Sequence, residues 1–265
     1  MKLGLKRGRT ARLLFLAMAP AMVSLGFADE IHVASSGGFA AAYRALAPGF
    51  EARTGHKLVA VWGPSMGETS GAIPKRLERG EPIDVVIMVG DALDKLVQQG
   101  RVEDTSHRLL ANSKIGVAVP AGSAKPNVST VEGLKQALLN ARSIAYSDSA
   151  SGEYLSKVLF PRLGIADQIK GKSRMIPAEP VAQVVARGEA DLGFQQVSEL
   201  LPIPGIDFIG EIPEETQQLT PFSAGIVANS KEHAPAQALI DYLTSNEVAP
   251  TIRKTGLTPA ASTAH

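Results

Sequence analysis

Apolar residues recur along this chain in two alternating rhythms. Short continuous runs at residues 31–34, 58–62, 84–89 and 114–119 read as strands. The nearly unbroken apolarity of 84–89 predicts a strand buried on both faces. Longer stretches carry apolar residues three and four apart. Phe39, Ala42, Tyr43, Leu46 and Phe50 mark a first helix over residues 39–51, closed by Thr54-Gly55. Residues 71–80, 91–99, 131–140, 153–163, 180–187, 234–243 and 247–255 read as further helices, and 143–146, 174–176, 191–195 and 222–228 as further strands. The alternation predicts an α/β fold with mostly parallel strands.

The breaks between strands and helices carry the candidate chemistry. Ser35-Ser36-Gly37-Gly38 follows the first strand, residues 63–70 (GPSMGETS) follow the second, and residues 147–152 (SDSASG) follow the strand at 143–146. Each break puts hydroxyls and the unpaired N–H groups of a helix start at the carboxyl end of a strand. Such a start favours negative charge, and in an open α/β sheet ligands sit outside the carboxyl ends of the strands. Ser35, Ser36, Gly37, Ser65, Met66, Ser70, Gly71, Ser151 and Gly152 are therefore the expected grip on a small anion. Gln195-Gln196 ends another apolar strand, where buried amides need partners.

The leader changes the charge balance. Lys2, Lys6, Arg7, Arg9 and Arg12 precede an apolar stretch that ends in small residues at Gly26-Phe27-Ala28, which predicts a signal peptide over residues 1–28, cleaved before Asp29, and export to the periplasm. It holds five of the 27 basic residues and none of the 26 acidic ones, so the exported chain has a net charge of −4. That excludes a nucleic-acid binder of the usual basic kind. It also means that an anion must be held by local dipoles. There are no cysteines, and the five histidines lack ligand spacing, so neither a metal nor another cofactor is expected. No nucleophile elbow, phosphate-binding loop or dinucleotide fingerprint is present.

Taken in order, VASSGGFAAAYRALAPGFEARTGHKL, GETSGAIPKRLERGEPIDVVIMVGDALDKL, YSDSASGEYLSKVL, VVARGEADLGFQQVSEL and FSAGIVANSKEHAPAQALIDYLTSNEVAPTIRKTGLTP resemble the periplasmic molybdate-binding proteins, which are type 2 periplasmic solute-binding proteins. The resemblance covers nearly all of the chain beyond the leader. It implies a two-lobed α/β fold with an interlobe cleft and a hinge of two crossing strands. Residues 29–112 and 222–265 would form lobe 1, and 113–221 lobe 2. It places ligand serines on Ser35 or Ser36, on Ser70 before Gly71, and on Ser151 with Gly152, and a backbone donor near Ala178. Two departures follow. The family's tyrosine falls on Gln196, and the second turn is longer, which describes a reshaped pocket better suited to a carboxylate.

Two functions are implied. One is a monomeric carrier that delivers a small anion to an ABC-type permease. The other is a cofactor-free isomerase on the same scaffold, of the aconitate isomerase kind, with a proton-transfer group among Glu68, Tyr146, Asp148 and Glu153 and carboxylate holders among Lys75, Arg76 and Lys157.

Overall fold

The structure, a computed structural model, describes residues 29–177 and 179–260. The leader and Ala178 lie outside the described residues. Among the described residues eleven strands, numbered in chain order, form two sheets. The first sheet contains β1 (Glu30–Ser35), β2 (Lys57–Trp62), β3 (Val85–Val89), β4 (Arg108–Ser113), β10 (Thr220–Ile226) and β11 (Leu257–Pro259), in the order β11-β4-β10-β3-β1-β2. The second contains β5 (Ile115–Pro120), β6 (Ile144–Ser147), β7 (Ser173–Ile176), β8 (Leu192–Gln196) and β9 (Ile206–Glu211), in the order β7-β6-β8-β5-β9. Each sheet with its helices makes one lobe of a two-lobed α/β fold.

The apolar rhythms account for both cores. Val85, Val86, Ile87 and Met88 of β3 are fully buried, as a strand covered on both faces requires. Helix Gly37–Thr54 lays Phe39, Ala42, Tyr43, Leu46 and Phe50 onto that sheet and ends on Gly55, whose φ of 79° permits the left-handed stop. In the second lobe Leu134 and Leu138 of helix Val131–Asn140 pack with Ile115, Val117, Ile144 and Phe194.

The sheets are mixed rather than mostly parallel. β1 pairs in parallel with β2 and β3, and β6 with β7 and β8, but β10 runs antiparallel to β3 and β4, and β5 antiparallel to β8 and β9. The cause is connectivity. β4 leaves the first sheet and continues as β5 of the second, and β10 brings the chain back in the opposite sense. Three other expectations differ. Arg108–Ser113, which has no clean apolar period, is a strand, and so is Leu257–Pro259. The helix expected over 153–163 begins earlier, at Ala150, and contains a π-helical turn over Leu155–Leu159.

The two passages between lobes are tied to each other. The Gln217 amide accepts from the Ile115 N–H at 2.8 Å and donates to the Ile115 carbonyl at 3.1 Å. The Lys114 ammonium pairs with Glu211 and Glu214, each at 3.0 Å. Among the described residues no helix is long and apolar enough to cross a membrane.

Phe39 is fully enclosed between the first helix and its sheet. Phe39→Ala is expected to cost about 3–5 kcal/mol of stability. Denaturant unfolding should show a lower midpoint with an unchanged slope.

Candidate functional site

Parallel strands from both sheets end at one cavity of about 420 Å³. β1 delivers Ser36, β2 delivers Trp62 and Gly63, and β3 delivers Val89. From the other lobe, β6 delivers Ser147, Asp148 and Ser149, and β8 delivers Gln195 and Gln196. This is the position that the open-sheet rule assigns to a ligand. A second cavity, of about 640 Å³, lies beside helix Val131–Asn140 within the second lobe and contains none of the serine turns.

Two serines stand at helix starts on opposite walls. Ser36 precedes helix Gly37–Thr54 in extended conformation (φ −78°, ψ 160°), and Ser149 precedes helix Ala150–Tyr154 (φ −116°, ψ −167°). A serine there ordinarily spends its hydroxyl on the N–H groups of its own helix. Neither hydroxyl does so. Ser149 shares a hydrogen bond with Ser147 at 3.1 Å, whereas the enclosed Ser36 hydroxyl has no partner at all. Gln196 is also enclosed: its amide N donates to Thr220 Oγ1 at 2.9 Å, and its Oε1 has no partner. Buried polar atoms are nearly always satisfied, so two unpartnered ones on one cavity mark where a guest belongs.

The second turn is braced from behind. Arg76 Nε donates to the Gly71 carbonyl at 3.0 Å, and Arg79 to the Ser70 carbonyl at 2.7 Å, with Glu81 pairing to both guanidiniums. The turn also closes tightly on itself, because a β-carbon at Gly63 would overlap the Gly71 carbonyl. Trp62 forms part of the wall, with the Arg44 guanidinium 4.3 Å from its ring centroid.

The expected site residues divide as follows. Ser36, Gly37, Ser65, Ser70, Gly71 and Gln196 line the cavity. Ser65 also serves the fold, since its hydroxyl accepts from the Val89 N–H at 2.9 Å. Ser35 is fully buried behind Ser36, and Met66 packs against the first core. Ser151 and Gly152 sit one turn behind the wall: the Ser151 hydroxyl bonds Ser147 at 2.9 Å, and a β-carbon at Gly152 would overlap the Ser147 carbonyl. Their place is taken by Ser149 and Ala150. Ala178 lies outside the described residues, but the neighbouring Glu179 and Pro180 reach the cavity.

Of the four expected proton-transfer candidates only Asp148 lines the cavity. Glu68 is exposed and pairs with Lys75 at 2.8 Å, Glu153 pairs with Lys157 at 3.1 Å, and the Tyr146 ring packs edge-on against Phe160. Lys75 and Lys157 are spent on these acids, Arg76 on Glu81 and the Gly71 carbonyl, and none of the three lines the cavity. Among the described residues no lysine, arginine or histidine lines it, while Asp148, Glu179 and Glu199 do.

Glu199 was not visible as a candidate in the sequence. It belongs to the short helix Val197–Leu200, and its carboxyl accepts from the Gln195 side chain and the Gln196 backbone N–H. Burial raises its pKa to about 7, the nearby Asp148 charge adds to the rise, and the two hydrogen bonds oppose it. Only its spacing after an apolar strand could have pointed to it, and that spacing is shared by many helix-starting acids.

Two lobes closing on a cleft lined by strand ends define a class, the solute-binding proteins. The chain belongs to the bacterial extracellular solute-binding protein family, whose pattern it matches over residues 31–258. It is 49% identical to an aconitate isomerase of a Pseudomonas species, over 93% of this chain and 94% of that protein. It is 28% identical to the molybdate-binding protein ModA of Azotobacter vinelandii, over 86% of this chain and 90% of that protein. The solved periplasmic molybdate-binding protein of Azotobacter vinelandii has the same fold, with a TM-score of 0.71 at 22% identity, covering 87% of this chain and all of that one.

The raised carboxyl has a thermodynamic signature. Glu199 stays protonated in the folded protein at pH values where the unfolded chain ionises it, near its ordinary 4.5. Its contribution to stability is therefore complete below about 4.5 and is lost as pH rises through about 7. Between pH 5 and 8 the wild type should lose stability relative to Glu199→Gln. Parallel denaturation midpoints across that range would contradict the assignment.

Proposed function

We propose that the protein interconverts cis- and trans-aconitate in the interlobe cavity by a cofactor-free proton shift. The observation that carries this reading is the coexistence of neutral donors and acids in one cleft. Ser36, Ser149, Gln196 and the turn N–H groups suit carboxylates, while Asp148, Glu179 and Glu199 share the wall with no cation among the described residues. A receptor that only holds an anion gains nothing from acids around it. A site that moves a proton needs one.

The identity of 49% across nearly the whole chain to a protein named aconitate isomerase supports the choice of substrate. So does the glutamine at position 196, where the resemblance to the molybdate-binding proteins puts a tyrosine.

The chemistry balances without a co-reactant. A base takes a proton from the methylene carbon next to a carboxylate. The C–H electron pair forms a new double bond to the central carbon, and the old double bond's electrons move onto the far carbon and its carboxylate. The proton is then returned to that far carbon. The skeleton is symmetric about its central carbon, so the product is again aconitate. Its geometry is set by the conformation in which the site holds the arms. Hydroxyl and N–H donors aimed at the carboxylates stabilise the charge that accumulates on them between the two steps. The leader pattern supports placing this activity in the periplasm.

Incubation of the leaderless protein with cis-aconitate in deuterated buffer, without added metal or cofactor, should yield trans-aconitate. The alternative is a carrier that delivers a small anion to an ABC-type permease, favoured by the relatedness to ModA. A carrier would show a ligand-dependent gain in stability, about 2.7 kcal/mol at a hundred times the dissociation constant, with cis-aconitate left unchanged.

A further inference from the structure

We propose that Glu199 is the catalytic residue that takes and returns the proton, an assignment that rests on the isomerase reading. The placement of its carboxyl carries the argument. Glu199 stands on the second lobe, and its Oε1 lies directly against Gly37 of the first, so closely that a β-carbon at Gly37 would overlap it. The residue that begins the first lobe's long helix is thus bare where the carboxyl must pass. The Ser198 hydroxyl donates to the Gly38 carbonyl at 2.6 Å and fixes the two helix starts against each other.

Of the four enclosed polar side-chain atoms that have no partner among the described residues, the two that belong to residues lining this cavity are Ser36 Oγ and Gln196 Oε1. They line the same cavity and mark where a polar guest comes within reach of Glu199.

The other cavity acids are differently placed. Glu179 is gripped by the Arg187 guanidinium through two bonds, at 3.1 and 3.2 Å, which tie its carboxyl to that side chain. Asp148, on the turn after β6, contributes the negative charge that opposes ionisation of Glu199. The start of helix Gly37–Thr54 favours ionisation from the first lobe. Gln195 and Gln196 supply hydrogen bonds from β8, and no lysine, arginine or histidine faces the carboxyl across the cavity among the described residues.

The Gln195 amide is itself oriented, because its Oε1 accepts from the Ala182 N–H at 3.4 Å and leaves its NH₂ for Glu199. A carboxyl steadied in this way and poised near neutrality can hold a proton between the two carbons of an allylic shift. In the forward step its ionised form forms an O–H bond as the methylene C–H bond breaks. In the return step that O–H bond breaks as the new C–H bond forms.

Glu199 also closes the start of its own helix by accepting the Gln196 N–H, which is a structural role. Glutamine keeps that acceptor and loses the proton-carrying function, so Glu199→Gln separates the two roles. The experiment measures three things for wild type, Glu199→Gln and Glu199→Asp: the cis-to-trans rate, deuterium incorporation into the product, and the dissociation constant for trans-aconitate.

The expected result is a fall in kcat of about 10²–10⁴-fold for Glu199→Gln, with deuterium incorporation, which reports solvent exchange while the carboxyl holds the proton, falling in step and affinity within about threefold of wild type. Glu199→Asp should recover part of the rate. The wild-type kcat should rise with pH as the carboxyl ionises near 7. Turnover of Glu199→Gln within tenfold of an active wild type would overturn the assignment and leave the isomerase reading standing. Loss of affinity in step with rate would overturn it too. A wild type that binds trans-aconitate without turning over would end both.

Discussion

An anion enclosed in a cleft gives up its water and must find donors in exchange. Among the described residues the walls of this cavity offer donors without a positive side chain. Hydroxyls, an amide and the N–H groups of helix starts face one another across the cavity, and the nearby arginines are turned away to brace carbonyls of the second turn. A neutral donor bonded to a carboxylate contributes roughly 1.5–3 kcal/mol. Several of them, drawn from both lobes, would hold a guest only when both lobes are in place. The two-sheet fold brings the strand ends together, and the serines on both sides are left unused by their own helices.

Neutral walls also permit the acids. A lysine or arginine in the cavity would pair with Glu199 and keep it ionised well below neutrality. With none among the described lining residues, burial dominates and raises the carboxyl to about 7. On the proposed function, binding by dipoles and proton transfer by Glu199 would be two consequences of one choice of lining. The relatedness to an aconitate isomerase and to ModA fits a scaffold whose grip on an anion is common to both and whose chemistry lies in a few side chains.

Much of this was legible in the sequence because local rules govern it. The burial of Val85–Val89 on both faces and the apolar stripe from Phe39 to Phe50 are periodicities, and the first two serine turns are fixed by the strand ends beside them. Strand direction was not legible, since β10 acquires its sense only by returning from the other lobe. The third turn holds three serines within residues 147–152, and the helix beginning at Ala150 decides that Ser149 rather than Ser151 faces the cavity. Glu68 and Glu153 are taken up by surface pairs instead: Glu153 bonds Lys157 one helical turn on, and Glu68 reaches Lys75 only because the second turn folds back on the helix that follows it. Glu199 looked ordinary because its environment is assembled from β8, the turn at Asp148 and a glycine 162 positions earlier in the chain.

The central claim is that hydroxyls from opposite lobes grip one guest. The direct measurement is the calorimetric dissociation constant of trans-aconitate for wild type, Ser36→Ala and Ser149→Ala. Each substitution removes one donor to a buried carboxylate and should weaken binding about tenfold or more. If either variant binds as tightly as the wild type, that lobe's hydroxyl does not reach the ligand, and the account of a shared grip is contradicted.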